Sequence, residues 1–278
     1  MKKGVLVILC SLSAAGMAHA EDLSEHTGLF ANAKEVFRPL LADPREIQLA
    51  LRMVTPVGHK NLGEIAVGDY FGLYRWALPW KDSFLQWSVA GGVFSRFDLV
   101  ALEKDNQVLD YSANMPVDLR IGKYSLRLMP FHISSHLGDD YIKRTGILPQ
   151  KYTFDSFKTL LAVEPCHALR IYGGYNYIIR NESVARGRIS VQGGAEWTSG
   201  WWAHGHAQLF WANDVQSWER NDWNPSLNSQ VGVRIANHPG DAQALSFFTE
   251  YGAGHQAFGQ LYQQKESHWV LGVRFEVS

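Results

Sequence analysis

From about residue 46 to the C-terminus, apolar and polar residues alternate in one segment after another. Leu85, Trp87, Val89 and Val93 fall on one parity, with Gln86, Ser88 and Ala90 between them. Leu109, Tyr111, Ala113, Met115, Val117, Leu119 and Ile121 do the same against Asp110, Ser112, Asn114, Asp118 and Arg120. The rhythm returns at 169–179, 189–197, 203–211, 227–235 and 269–277. A period of two is the signature of half-buried strands. About twelve such segments reach roughly ten residues, the length a tilted membrane strand needs. Strands of a soluble sandwich are nearer five or six residues.

The polar parity carries Arg52, Arg96, Arg120, Arg127, Arg170, Arg188, Arg234 and Arg274, together with Asp110, Asp118, Glu196, Glu250 and Glu276. In a soluble sandwich these side chains would form solvated faces. In a closed barrel they would line the lumen while the apolar parity meets lipid. Turn signals at 78–82, 122–123, 164–166 and 199–200 are short, whereas the alternate connections around 98–107, 137–150, 213–225 and 253–267 are longer. Short periplasmic turns and long external loops are the habit of outer-membrane barrels. The pattern therefore predicts an all-β fold, a single antiparallel transmembrane β-barrel of about twelve strands with an apolar exterior and an Arg-rich lumen. The barrel domain is expected over residues 46–278. Residues 21–45 are polar and read as a periplasmic N-terminal extension, with partial folding into the lumen as the alternative.

The first twenty residues add a destination. Lys2 and Lys3, the apolar run from Val5 to Ala15 and Ala18-His19-Ala20 compose a secretory signal peptide over residues 1–20. Cleavage there leaves Cys166 as the single cysteine of the mature chain. A formal net charge of −1 gives no nucleic-acid footprint. The expected location is the bacterial outer membrane. The expected partners are its lipids and the barrel-assembly machinery, with the oligomeric state left open. The last strand ends in Ser278 rather than the aromatic residue usual in assembly signals.

The blocks ADPRE (42–46), GDYFGLYRW (68–76), GGVFSRFDL (91–99), SSHLGDDYI (134–142), RIYGGYNY (170–177) and NDWNPSL (221–227) resemble, in order, the motifs of the domain-of-unknown-function 1207 family. That resemblance implies an outer-membrane barrel and leaves the activity open.

One stretch invites a chemical reading. In FHISSHLGDD (131–140), strand parity continued from Tyr124, Leu126 and Leu128 puts His132, Ser134 and His136 on the lipid side, unless a bulge at Pro130 flips it. A His-x-Ser pair on that face is similar to that of outer-membrane phospholipase A and the lipid A deacylases, although Ser135 stands where those enzymes have Asn. The resemblance implies a lipid-ester hydrolase with Ser134 as nucleophile and His132 as base. Folding the following loop about residues 143–144 sets Asp155 opposite His132, which makes it the candidate orienting group. The alternatives are a polar rim above the membrane, or a register or metal role. Asp139 and Asp140 beside Gly138 read as a turn, and as a calcium site only if loop carbonyls complete it; no other cofactor is expected. His204 and His206, two apart on an expected lumen face, are compatible with a metal. Trp76, Trp80, Trp197, Trp201 and Trp202 read as a periplasmic aromatic girdle. The runner-up function is a narrow Arg-lined pore, and the third a purely structural barrel.

Overall fold

The computed structural model describes residues 27–58, 61–101, 104–239 and 241–277; the expected signal peptide, 1–20, and residues 21–26 lie outside these. Its strands in chain order are β1 (Gly28–Leu29), β2 (Leu49–Pro56), β3 (Leu62–Ala77), β4 (Ser83–Asp98), β5 (Asn106–Asn114), β6 (Val117–Ile121), β7 (Tyr124–Leu137), β8 (Thr153–Cys166), β9 (Leu169–Asn181), β10 (Ile189–Thr198), β11 (Ala207–Trp218), β12 (Pro225–Ile235), β13 (Ala244–His255) and β14 (Lys265–Glu276). One short helix, α1 (Asp139–Thr145), sits in the β7–β8 loop.

Consecutive strands pair antiparallel, and β14 returns to pair with β2, which closes the wall. β5 and β6 are one wall strand interrupted at Met115-Pro116. Asn114 faces Phe131 and Val117 faces Leu128, so the register runs unbroken across the gap. Met115 donates to the Pro130 carbonyl at 3.0 Å there, and neither Pro116 nor Pro130 has an N–H to give to the ladder. Counted this way the barrel has twelve wall strands. The alternation decides which face is which. Leu51, Phe71, Leu161, Ile171 and Leu271 point outward and are exposed, as a lipid-facing surface requires. The turn at 199–206 is longer than the sequence signal implies, and the external loop after β11 is confined to residues 219–224.

The expectation for residues 21–45 as a periplasmic extension needs correction where the chain is described. From Ala31 to Gln48 the segment runs inside the barrel: Ala33, Val36, Phe37, Leu40, Ala42 and Ile47 are at most 3% exposed. The physical reason is that β2 starts high. Its first rung with β3 is Ala50 to Ala66, which leaves β3 below that point without β2 as a neighbour. Among the described residues, β1 alone pairs with that edge lower down, at Arg75 and Tyr74. The segment enters along this flank. A Cβ on Gly72 would lie 2.0 Å from the Ala31 carbonyl oxygen, so no other residue fits there without moving the entry.

Inside, the segment's backbone is held by charged side chains of the wall. Arg127 donates to the Phe37 carbonyl at 3.1 Å and Arg274 to that of Leu41 at 2.8 Å. Glu196 accepts from the Leu41 N–H at 2.8 Å. Phe37 lies between two guanidinium groups, with Arg127 and Arg170 each 4.6 Å from its ring centroid. Asp43 accepts from Gln192 and Gln216 and pairs with Lys158 at 3.2 Å.

Candidate functional site

At the external end of the outer face, β7 and β8 run side by side with no register shift at Pro130. His132 is therefore opposite Asp155, and Ser134 opposite Thr153. The expected parity holds: His132 and Asp155 are about half exposed (51% and 45%) and face away from the lumen. His132 Nδ1 lies 2.7 Å from Asp155 Oδ1. A carboxylate here accepts the Nδ1 proton, fixes the tautomer and leaves Nε2 as the acceptor. A charged side chain on the lipid face costs ~2–4 kcal/mol for Arg or Lys at mid-bilayer, and less for a carboxylate or near the interface; here the imidazole supplies the carboxylate's partner.

The third member of the expected triad is placed differently. Ser134 shares the outward face but makes no hydrogen bond to the imidazole among the described residues. The hydroxyl within hydrogen-bond reach of Nε2 is that of Thr153, at 3.4 Å, and it also reaches the Ile133 carbonyl at 3.1 Å. Thr153 was legible as an outward residue, since it shares Asp155's parity. Only the register showed which ring atom it would meet. The same rim carries His136 against the Tyr111 ring at 6.1 Å, and Arg180, whose Cα partner is Asp155.

Behind the rim the inner face is packed solid. Tyr152, Phe154, Ile178, Ala185 and Tyr262 form one buried cluster, with Phe131 and Ile133 against it. Burial pushes the Tyr152 hydroxyl up to about 12. Ser135 points inward, as its parity requires, and bonds Asp110 and the Gln260 N–H.

Other expected residues fall elsewhere. Asp139 and Asp140 open helix α1, where Asp140 pairs with Lys143 at 3.1 Å. His204 and His206 are not on a lumen strand: they lie in the 199–206 turn, where His204 has a positive φ and His206 reaches the Ala236 carbonyl. Trp201 sits against the Arg234 guanidinium at 5.4 Å, whereas Trp76, Trp80 and Trp202 are exposed as a girdle would be. Arg188 is exposed at the external end and bonds the Ile178 and Ile179 carbonyls.

The remaining lumen arginines are mostly paired. Arg127 binds Asp118 through two bonds of 2.8 Å, Arg170 meets Glu196 at 3.2 Å, Arg234 meets Glu276 at 2.8 Å and Arg52 meets Glu250. Arg96 bridges Glu64 and Glu266, and Arg120 meets Glu164. Arg274 instead bonds Gln48, Gln230 and the Leu41 carbonyl. The inward signals missed from sequence are Arg45, on Asp110 at 2.8 Å, and Arg75, on Glu35 at 2.5 Å. Above the segment a cavity of about 90 Å³ is lined by Arg45, Arg52, Arg96, Glu250 and His255.

A family described as "Protein of unknown function (DUF1207)" matches residues 12–277. No curated protein matches the sequence. Among solved structures, outer membrane phospholipase A from Escherichia coli is similar over 86% of this chain and 93% of its own, at 13% identity and a TM-score of 0.55. The outer membrane phospholipase of Salmonella typhi, solved as a dimer with bound calcium, is similar over 82% of this chain and 90% of its own, at 12% identity and a TM-score of 0.55. The KdgM porin covers 84% of this chain with all (100%) of its own, at 6% identity and a TM-score of 0.46. Likeness at these identities concerns the fold.

Proposed function

The chain belongs to the DUF1207 family, and from that premise we propose that it is a lipid-ester hydrolase of the bacterial outer membrane, acting at the external rim. The observation that carries this reading is the His132–Asp155 pair, 2.7 Å apart on the outward face. An ester buried in a leaflet is reached only from outside the barrel, so base and nucleophile must both face lipid. Asp155 orients the imidazole and stabilises its positive charge. His132 Nε2 takes the proton of a neighbouring hydroxyl as that oxygen attacks the ester carbonyl. Two hydroxyls share this face, those of Ser134 and Thr153. The apolar wall below them offers the surface along which an acyl chain lies.

The runner-up pore reading draws less support. Residues 31–48 occupy the lumen, and most of the arginines that would attract anions are spent on carboxylates of the wall. Export by a cleaved signal peptide and residence in the outer membrane belong to the same proposal.

The test uses the refolded protein in mixed micelles with a phospholipid or a lipid A-type ester, with fatty-acid release as the readout. His132→Ala should lower release by at least ~10³, because base and nucleophile act as a unit. Asp155→Asn should cost less, and Ser135→Ala, which faces the lumen, should leave release intact. Full activity in His132→Ala would end the hydrolase reading.

A further inference from the structure

We infer that Thr153, not Ser134, supplies the attacking oxygen, and that Ser134 instead donates a hydrogen bond to the oxyanion. This rests on the hydrolase reading and assigns roles within the same site. The geometry singles out Thr153. With Asp155 on Nδ1 at 2.7 Å, the lone pair of Nε2 is the base, and the Thr153 hydroxyl oxygen lies 3.4 Å from it. Unbound enzymes commonly hold such contacts long and tighten them when substrate arrives. Thr153 Oγ1 also lies 3.1 Å from the Ile133 carbonyl, so a rotation about the C–O bond moves its proton from that carbonyl to Nε2.

The residue is also held in place. Its N–H donates to Ser183 Oγ at 2.9 Å, and its carbonyl accepts from Ser183 Oγ at 3.0 Å and from the Glu182 N–H at 3.1 Å. A β-branched side chain on a fixed strand backbone has few rotamers, which keeps the hydroxyl near the ring. Ser134 lies on the same strand as His132 and bonds to no part of its ring. It faces Thr153 directly across the ladder. An ester carbonyl carbon placed on Thr153 Oγ1 therefore sets its oxygen near the Ser134 hydroxyl, where a donor stabilises developing negative charge.

The reaction closes as follows. Thr153 Oγ1 bonds to the carbonyl carbon as its proton passes to His132 Nε2. The tetrahedral intermediate collapses, the bond to the alcohol oxygen breaks, and Nε2–H protonates that leaving oxygen. Water then attacks the acyl-threonine, giving one proton to Nε2. The acyl–Oγ1 bond breaks, Oγ1 recovers the proton, and a fatty acid leaves.

The experiment compares wild type, Thr153→Val, Thr153→Ser and Ser134→Ala in phospholipid mixed micelles. Each variant's folding is checked by heat-modifiable gel migration. In parallel, each is treated with a long-chain alkyl fluorophosphonate and the labelled peptide is located by mass spectrometry. Thr153→Val should lose at least ~10³ in kcat and all labelling, whereas Thr153→Ser should keep both. Ser134→Ala should lose ~10²–10³ in kcat, the effect of one oxyanion donor, while still labelling at residue 153. Labelling at Ser134, or an active Thr153→Val beside a dead Ser134→Ala, overturns the assignment and leaves the hydrolase reading standing. A wild type that neither cleaves nor labels removes both.

Discussion

Arg127 gathers more of the lumen's chemistry than any other side chain on the inner wall. It is buried, binds Asp118 in a fork, and donates to the Phe37 carbonyl and to the Tyr70 hydroxyl at 3.1 Å. Arg127→Ala strips the buried Asp118 of its paired cation, a loss of ~3–5 kcal/mol. Arg188→Ala, at an exposed site on backbone carbonyls, should stay within about 0.5 kcal/mol. Urea midpoints of the refolded protein in detergent check both. Pairing Arg127→Met with Asp118→Leu should recover much of the loss, since the cost lies in the stranded charge. At this scale the sequence was informative about direction and poor about distance. Parity placed His132, Asp155 and Ser135 on their faces, because a strand's side chains alternate without exception while its register holds. It was blind to Thr153's proximity to Nε2, which depends on a diagonal between two strands separated by a fifteen-residue loop, 138–152.

Among the elements, the segment from Ala31 to Gln48 is the one whose role composition conceals. Its apolar residues have no period, because it forms neither helix nor strand, and its charges look like those of a solvated tail. Only the wall makes them buried: Asp43 and Glu46 find partners on strands far along the chain. The segment is expected to set the barrel's permeability. In planar bilayers the full chain should give little steady conductance, and deletion of residues 31–46 should raise it with stable single-channel steps. Unchanged, silent traces from a folded deletion variant would mean that the wall side chains close the lumen without it. Phe37→Ala should cost ~3–5 kcal/mol by opening a cavity between the two guanidinium groups.

For the molecule as a whole, the outward surface has no second layer to pack against, so lipid or detergent must cover it. The protein should fractionate with outer membranes, require detergent for extraction and migrate faster in gels when unheated; recovery as a detergent-free periplasmic monomer would contradict this. The route of the chain through the closed wall has a consequence for how it is made. Leu41 is bound by Arg274, 233 positions later, and the seam that shuts the barrel joins its first wall strand to its last. The innermost residues are thus synthesised first and enclosed last. Contacts so distant in sequence form slowly, so the segment must wait while all twelve wall strands assemble around it. Insertion then becomes a race between seam closure and capture of this tail, and a barrel that shuts too early would be empty and open.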